Sequence, residues 1–173
     1  MKPKFMKSGL IALAAVVIVA GCETEHDEKS TMSTGASGEV EGHVLIANQP
    51  VAGATVTLYA AGEGAPTQLA QGKTDAEGEF ELEGKSASKD SVVYLVAKGP
   101  KDGVTLMSLL GTSWPEKVTV NELTTVASAF CAAQFINGEA ISGKPLSLHI
   151  ASGNQRNLVD PATGGWGKVL VDP

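Results

Sequence analysis

The sequence predicts a mainly β fold: a small antiparallel β-sandwich followed by a short helical C-terminal segment. Three observations support this prediction. Between residues 39 and 120, short apolar runs recur about every ten residues, with Gly, Pro or Asp between them. The segment GEFELEG alternates charged and apolar residues with a period of two, as a half-buried strand does. After Val120, the apolar residues adopt the spacing of a helix.

The first two predicted strands are separated by a turn. Val40 and residues 43–46 form the first strand, and Asn48-Gln49-Pro50 indicates the turn. The second strand follows Gly53. Alternation predicts one face with Ala54, Val56, Leu58 and Ala60, and an opposite face with Thr55, Thr57 and Tyr59.

The remaining strands bring the predicted count to six or seven, which suits a small sandwich. Residues 67–74 form a weaker strand, and residues 75–78 form a turn in which Asp75 bonds its own backbone. In the next strand, Phe80 and Leu82 face the core, whereas Glu79, Glu81 and Glu83 face water. Residues 91–97, 104–110 and 116–120 complete the set.

Two helices and a final strand are predicted after Val120. Asn121 is suited to cap a helix that stops near Asn137-Gly138. The apolar residues of this helix predict its buried stripe, in which Cys131 is a small hydrophobe rather than a nucleophile: Leu123, Val126, Ala127, Phe130 and Cys131. Pro145 suits the first position of a second helix, which runs to about Leu158. The final KVLV indicates a short strand.

The strand count is near that of a small Ig-like or transthyretin-like sandwich. Residues 39–120 resemble the carboxypeptidase regulatory-like family, and more broadly the Cna-B and transthyretin-like sandwiches. The likeness lies in two motifs, P-V-x-G-A-x-V-x-L from Pro50 to Leu58 and T-D-x-x-G-x-F-x-L from Thr74 to Leu82. The matched positions are turn glycines and core residues. The resemblance therefore implies a sandwich with a structural or adhesive accessory role rather than a catalytic one.

The N-terminal segment has the pattern of a secretory signal. Three lysines precede an apolar run, and only fourteen uncharged residues separate Lys7 from Cys22. A membrane-spanning helix needs roughly 20 residues, so this run is short for a permanent span. An uncleaved anchor helix, or a plain signal with an incidental cysteine, remains the alternative interpretation.

Val19, Ala20, Gly21 and Cys22 resemble the lipobox of bacterial lipoproteins. The resemblance implies cleavage before Cys22, fatty acylation of that residue, and a protein held in the cell envelope by its lipid. Glu23, rather than an aspartate, follows the cysteine, and in Gram-negative lipoproteins this favours the outer membrane over the inner membrane. Residues 1–21 are then the signal peptide, and residues 22–38 are a polar tether too hydrophilic to fold.

The charge of the mature chain limits the partners that it can bind, and its cysteine content limits the disulfides that it can form. Loss of residues 1–21 removes three lysines and no acid, so the formal charge changes from −6 to −9. This acidity excludes a nucleic-acid partner. It also repels anionic lipids, so we expect membrane contact through the acyl chains alone. Cys131 is the only cysteine besides Cys22, so a lipidated chain has no intramolecular disulfide.

No catalytic or metal site, and no cofactor, is expected from the sequence. Residues 138–145 have the spacing of a phosphate-binding loop, but Pro145 replaces the required hydroxyl residue. The histidines are scattered, without a second ligand at metal-binding spacing. Trp114, Trp166 and Tyr59 are candidates for stacking on sugar rings if they lie exposed on one surface. Burial of the two tryptophans is the other interpretation.

These features predict a lipid-anchored envelope protein that displays a non-catalytic sandwich and binds an unidentified protein or glycan. The alternatives are a carbohydrate-binding surface module, an envelope enzyme, or the N-terminal part of a larger surface protein.

Overall fold

The computed structural model describes residues 38–101 and 103–171. The predicted signal peptide, lipobox, Cys22 and all of the tether except its last residue, Gly38, lie outside these residues. In the described part, strands hold 41% of the residues and helices 21%, which confirms a mainly β fold.

Seven longer strands form the sandwich, in agreement with the predicted six or seven. They are β1 (Gly38–Ile46), β3 (Thr55–Ala61), β4 (Thr67–Lys73), β5 (Glu79–Gly84), β6 (Val92–Lys98), β7 (Thr105–Gly111) and β8 (Lys117–Val120). A two-residue strand, β2 (Gln49–Pro50), pairs with the end of β1 across Ala47 and Asn48. Both of these loop residues have positive φ, at 50° and 60°, as a tight hairpin requires.

The first sheet is built around β1. β5 pairs with β1 in antiparallel orientation, and β8 pairs with β1 in parallel orientation. The parallel pair departs from the predicted antiparallel sandwich, because the chain reaches β8 from the other sheet. At the β4–β5 turn, the Asp75 carboxylate accepts hydrogen bonds from the N–H groups of Glu77 and Glu79, which confirms its predicted role.

The second sheet has the order β4-β3-β6-β7 and is antiparallel throughout. Its inward face meets the first sheet in a core that includes Val56, Leu58, Leu95, Phe80 and Leu82. The predicted inward positions of β3 and β5 are therefore confirmed. Burial of this core stabilises the sandwich through the hydrophobic effect.

A second apolar cluster lies on the outward face of the second sheet. Tyr94, Val96 and Leu109 pack there against Ala132, Ile141 and Leu148 of the C-terminal segment. Residues 92–97 and 106–110 are consequently buried without interruption. The helical segment thus forms a third layer on the sandwich.

This layer contains α1 (Glu122–Cys131), the hairpin β9 (Ile136–Asn137) and β10 (Ala140–Ile141), α2 (Pro145–Leu158) and α3 (Lys168–Val171). The Asn121 cap and the bounds of α2 agree with the prediction. The predicted stop of the first helix is wrong, because the chain leaves α1 at Ala132 to form the hairpin that buries Ile141. The predicted KVLV strand is also wrong: these residues form α3.

The predicted buried stripe of α1 is wrong for its largest members. Val126 and Phe130 are exposed, and Cys131 is half-buried. Of the predicted stripe, Ala127 is confirmed as buried, and the other residues that α1 buries are Thr124 and Ser128. The helix is therefore rotated from the expected orientation, with hydroxyl groups toward the sandwich.

The reason for this rotation is the neighbour that α1 packs against, the free edge of β7. The N–H groups of Met107 and Leu109 donate to Thr125 Oγ1 at 2.9 Å and Ser128 Oγ at 3.0 Å. Thr124 Oγ1 donates to the Met107 carbonyl at 2.9 Å. Buried backbone groups need partners, and an edge strand has unpaired ones. The hydroxyl face of α1 (Thr124, Thr125 and Ser128) supplies them.

Candidate functional site

Trp114 packs against the edge of the sandwich core. Its indole packs beside Gly38 and Gly84, which are paired on β1 and β5, and a side chain at Gly84 would collide with it. The ring is partly buried against the cluster between the two sheets. Trp114 is therefore half-buried, which is closer to the interpretation as a buried residue than to that as an exposed stacking residue.

Tyr59 lies on the other face of the second sheet. Its ring stacks on Tyr94 with a centroid distance of 5.3 Å and an interplanar angle of 22°. It is half-buried against the cluster under the helices. Tyr94 is fully buried, its hydroxyl oxygen accepts a hydrogen bond from the Ile141 N–H, and burial raises its pKa to about 12.

Trp166 is the one candidate that is largely exposed, at 61% of its surface. It pairs through its backbone with Val159, at the end of α2. The structure therefore does not bring Trp114, Tyr59 and Trp166 together on one surface. Stacking on sugar rings depends on Trp166 alone.

An open cleft of about 450 Å³ lies at one end of the sandwich. The loops around Glu63 and Ser88 form its walls, and Pro145 at the start of α2 contributes to its rim. Its lining is rich in small residues and hydroxyl groups, and Glu63 and Asp90 are its only charged side chains. Such a lining offers hydrogen bonds to hydroxyl or amino groups, and no side chain of the lining is a base paired with a nucleophile.

The outward face of the first sheet carries an acidic surface, which we define as Glu39, Glu41, Glu79, Glu81 and Glu83. Glu39 lies opposite Glu83, and Glu41 lies opposite Glu81. A hydrogen bond with Glu81 and repulsion from its charge raise the pKa of Glu39, and Glu41 and Glu83 add to this shift. All five side chains are exposed, as the alternation of β5 predicts for its three members.

The remaining chemistry of the described residues is sparse. Burial raises the pKa of the Cys131 thiol, so the reactive thiolate is scarcer at neutral pH than for an ordinary cysteine. Within residues 38–101 and 103–171, no three His, Cys, Asp or Glu side chains are placed to hold a metal ion. None of the described helices has both the length and the hydropathy of a membrane-crossing helix.

The most distinctive exposed feature is apolar and lies on the helical layer. Of the nine large hydrophobic residues exposed in the described part of the chain, eight lie after Val120. Val126 and Phe130 are one turn apart on α1, as are Leu146 and Ile150 on α2. These four residues form what we call the helical outer surface. Sequence reasoning missed it because the apolar spacing of α1 was assigned to the core.

Two comparisons with known proteins gave no match to this chain. No protein-family model matches the chain, and a search of curated proteins returned no match.

Proposed function

We propose that this protein is a lipid-anchored component of the bacterial cell envelope, with the outer membrane favoured, that displays a non-catalytic β-sandwich as a binding or accessory module. The observation that carries the proposal is the position of Cys22. It stands directly after a basic and apolar leader, and fifteen mostly polar residues separate it from Gly38, where the first strand begins. A lipid on Cys22 would hold the folded domain near a bilayer without a spanning helix.

The accessory role is supported by what the motif residues do. In the first motif, Gly53 adopts a φ of 72° and Ala54 is buried in the core. In the second motif, Thr74 Oγ1 accepts a hydrogen bond from the Ala54 N–H and donates one to the Val51 carbonyl. These residues hold the two turns of the sandwich together. They are thus engaged in structure, as the likeness to carboxypeptidase regulatory-like domains implies.

The experiment is to express the full chain in a Gram-negative host, fractionate the membranes and determine the mass of the mature protein. We expect a chain that begins at Cys22 and carries fatty acyl groups. Cys22→Ala should block processing and acylation. Cys131→Ala is the matched control, and it should be processed and acylated like the natural chain, because Cys131 lies in the folded domain.

An unmodified N-terminus, or an intact leader on the natural chain, would contradict the anchor. Mass spectrometry separates these outcomes directly, and it does so independently of how well each variant folds.

A further inference from the structure

We propose that the helical outer surface (Val126, Phe130, Leu146 and Ile150) rests on the bilayer to which the chain is attached, so that the domain has a fixed orientation on the membrane. This inference rests on the proposed lipid anchor at Cys22. It replaces the expectation that only the acyl chains contact the membrane.

The helical outer surface has no partner within the described part of the chain. Its four side chains expose between 58% and 75% of their surface. α1 and α2 each use the opposite side to pack on the sandwich: α1 buries its hydroxyl face, and α2 buries Leu148 and Ala151. Ser128 of α1 bonds Gln155 of α2, so the two helices are joined side by side. Each helix therefore exposes an apolar pair, one turn apart, on the side turned away from the sandwich.

The charge distribution favours a bilayer as the occupant. The acidic surface lies on the outward face of the first sheet, and the helices cover the outward face of the second sheet. The two surfaces are therefore on opposite sides of the sandwich. The described helical segment has balanced charge, with three acids (Glu122, Glu139 and Asp160) and three bases (Lys144, Arg156 and Lys168). An acidic protein that turns its helices to an anionic bilayer thus keeps its repulsive face in solvent.

The length of chain between Cys22 and Gly38 permits this orientation. These fifteen residues span at most about 50 Å when extended. A folded domain of this size has a diameter of about 35 Å. The connection is therefore long enough for any face of the domain to reach the bilayer, and it keeps the domain at high local concentration there. The apolar and charged side chains on each face then determine which face binds the bilayer. Because the local concentration is high, even a weak contact with the bilayer is populated.

The test places a fluorescent reporter on the helical outer surface of the lipidated mature chain. Phe130→Trp is the test variant. Val104→Trp is the matched control, because among the described residues Val104 is the large hydrophobic residue exposed outside the helical segment, at 38% exposure. Each chain is reconstituted into phosphatidylethanolamine–phosphatidylglycerol vesicles with or without brominated acyl chains. The fluorescence of the natural chain, which comes from Trp114 and Trp166, is subtracted.

For Phe130→Trp, we expect brominated lipid to quench the added fluorescence by about twofold or more and aqueous iodide to have little effect, as for a side chain at the acyl boundary. For Val104→Trp, we expect quenching by iodide and not by brominated lipid. Equal quenching by iodide at both positions would overturn the inference. A reporter at position 130 that neither agent quenches, with a doubled mass in sedimentation, would also overturn it and indicate a second copy as the occupant.

The same experiment distinguishes a chain that lacks the lipid anchor from an anchored chain whose helical outer surface does not contact the bilayer. The acyl mass and the co-sedimentation with vesicles are measured on the same samples. A chain without lipid refutes the proposed function. A lipidated chain that co-sediments but leaves position 130 open to iodide refutes only the orientation. Because Phe130 is 75% exposed, its replacement by Trp should leave the fold intact, and circular dichroism verifies this.

Discussion

The two sheets of the sandwich share one core but differ in what covers their outward faces. The first sheet exposes charged side chains, and β5 alternates strictly between buried and exposed residues. The second sheet is covered by the helical layer, and β6 buries every residue except its last. Strict alternation therefore indicates a strand with one covered face, whereas an uninterrupted buried run indicates a strand that is covered on both faces.

The largest effect on stability is expected on the outward face of the second sheet, where the helical layer buries a second apolar cluster. Tyr94→Ala removes a fully buried ring that packs on Tyr59 and leaves the Ile141 N–H without its partner. We expect the free energy of unfolding to fall by about 3–5 kcal/mol, as for other large buried aromatic residues. Urea denaturation monitored by circular dichroism measures it.

The control for this variant lies on the first sheet. Glu83→Ala truncates an exposed side chain on β5, and we expect a change within about 0.5 kcal/mol. If both variants lost less than about 0.5 kcal/mol in the free energy of unfolding, the helical layer would not bury the outward face of the second sheet. The two sheets would then not differ in this respect.

A smaller effect is expected at the edge of the second sheet. Ser128→Ala removes the hydroxyl that accepts the Leu109 N–H and donates to Gln155 Oε1 or the Thr124 carbonyl. Because these groups are buried, we expect a loss of about 1–3 kcal/mol in the free energy of unfolding. Hydrogen exchange should also show faster exchange of the Leu109 amide than in the natural chain.

The contrasting variant is on the same helix. Phe130→Ser replaces an apolar residue that the sequence assigned to the core, but its side chain is exposed. We expect a change within about 0.5 kcal/mol. If Phe130→Ser lowered the free energy of unfolding more than Ser128→Ala, Phe130 would lie in the core as the sequence predicts. This result would contradict the orientation of α1 in the structure.

Much of the fold was predictable because local spacing reports burial on a sheet. Phe80 and Leu82 alternate with glutamates and were correctly placed inside, and Pro145 was correctly placed at the start of α2. The orientation of α1 was not predictable from its apolar residues. Its neighbour is a strand edge, which needs hydrogen-bond partners more than apolar contact. The spacing of Thr124, Thr125 and Ser128 was the available signal.

The candidate sites were less predictable than the fold. The likeness at Val19, Ala20, Gly21 and Cys22 is local in sequence and needs no tertiary structure to be recognised. Aromatic residues carry no such local information: Trp114 and Tyr59 pack in separate clusters, and this depends on which strands pair. The helical outer surface likewise follows from the third layer, whose existence the apolar runs of β6 and β7 indicate only in retrospect.

The smallest effect concerns the acidic surface of the first sheet. Glu81→Gln removes the charge that, with its hydrogen bond, raises the pKa of Glu39. We expect the pKa of Glu39 to move down toward its ordinary value of 4.5. A pH titration of the Glu39 carboxyl by NMR measures the shift. Glu77→Gln is the matched control, because Glu77 lies in the β4–β5 turn and contributes nothing to the Glu39 shift.

The sign of the accompanying stability change follows from proton binding. A raised pKa means that the folded chain binds this proton more tightly than the unfolded chain does. The stability contributed by Glu39 is therefore present below pH 4.5 and is lost as the pH rises through its folded pKa. Glu81→Gln should reduce this loss, so its stability relative to the natural chain should improve as the pH rises above 4.5. A Glu39 pKa that is unchanged in Glu81→Gln would show that the exposed charges of the first sheet are too well solvated to interact, whereas the outward face of the second sheet stays buried under the helical layer.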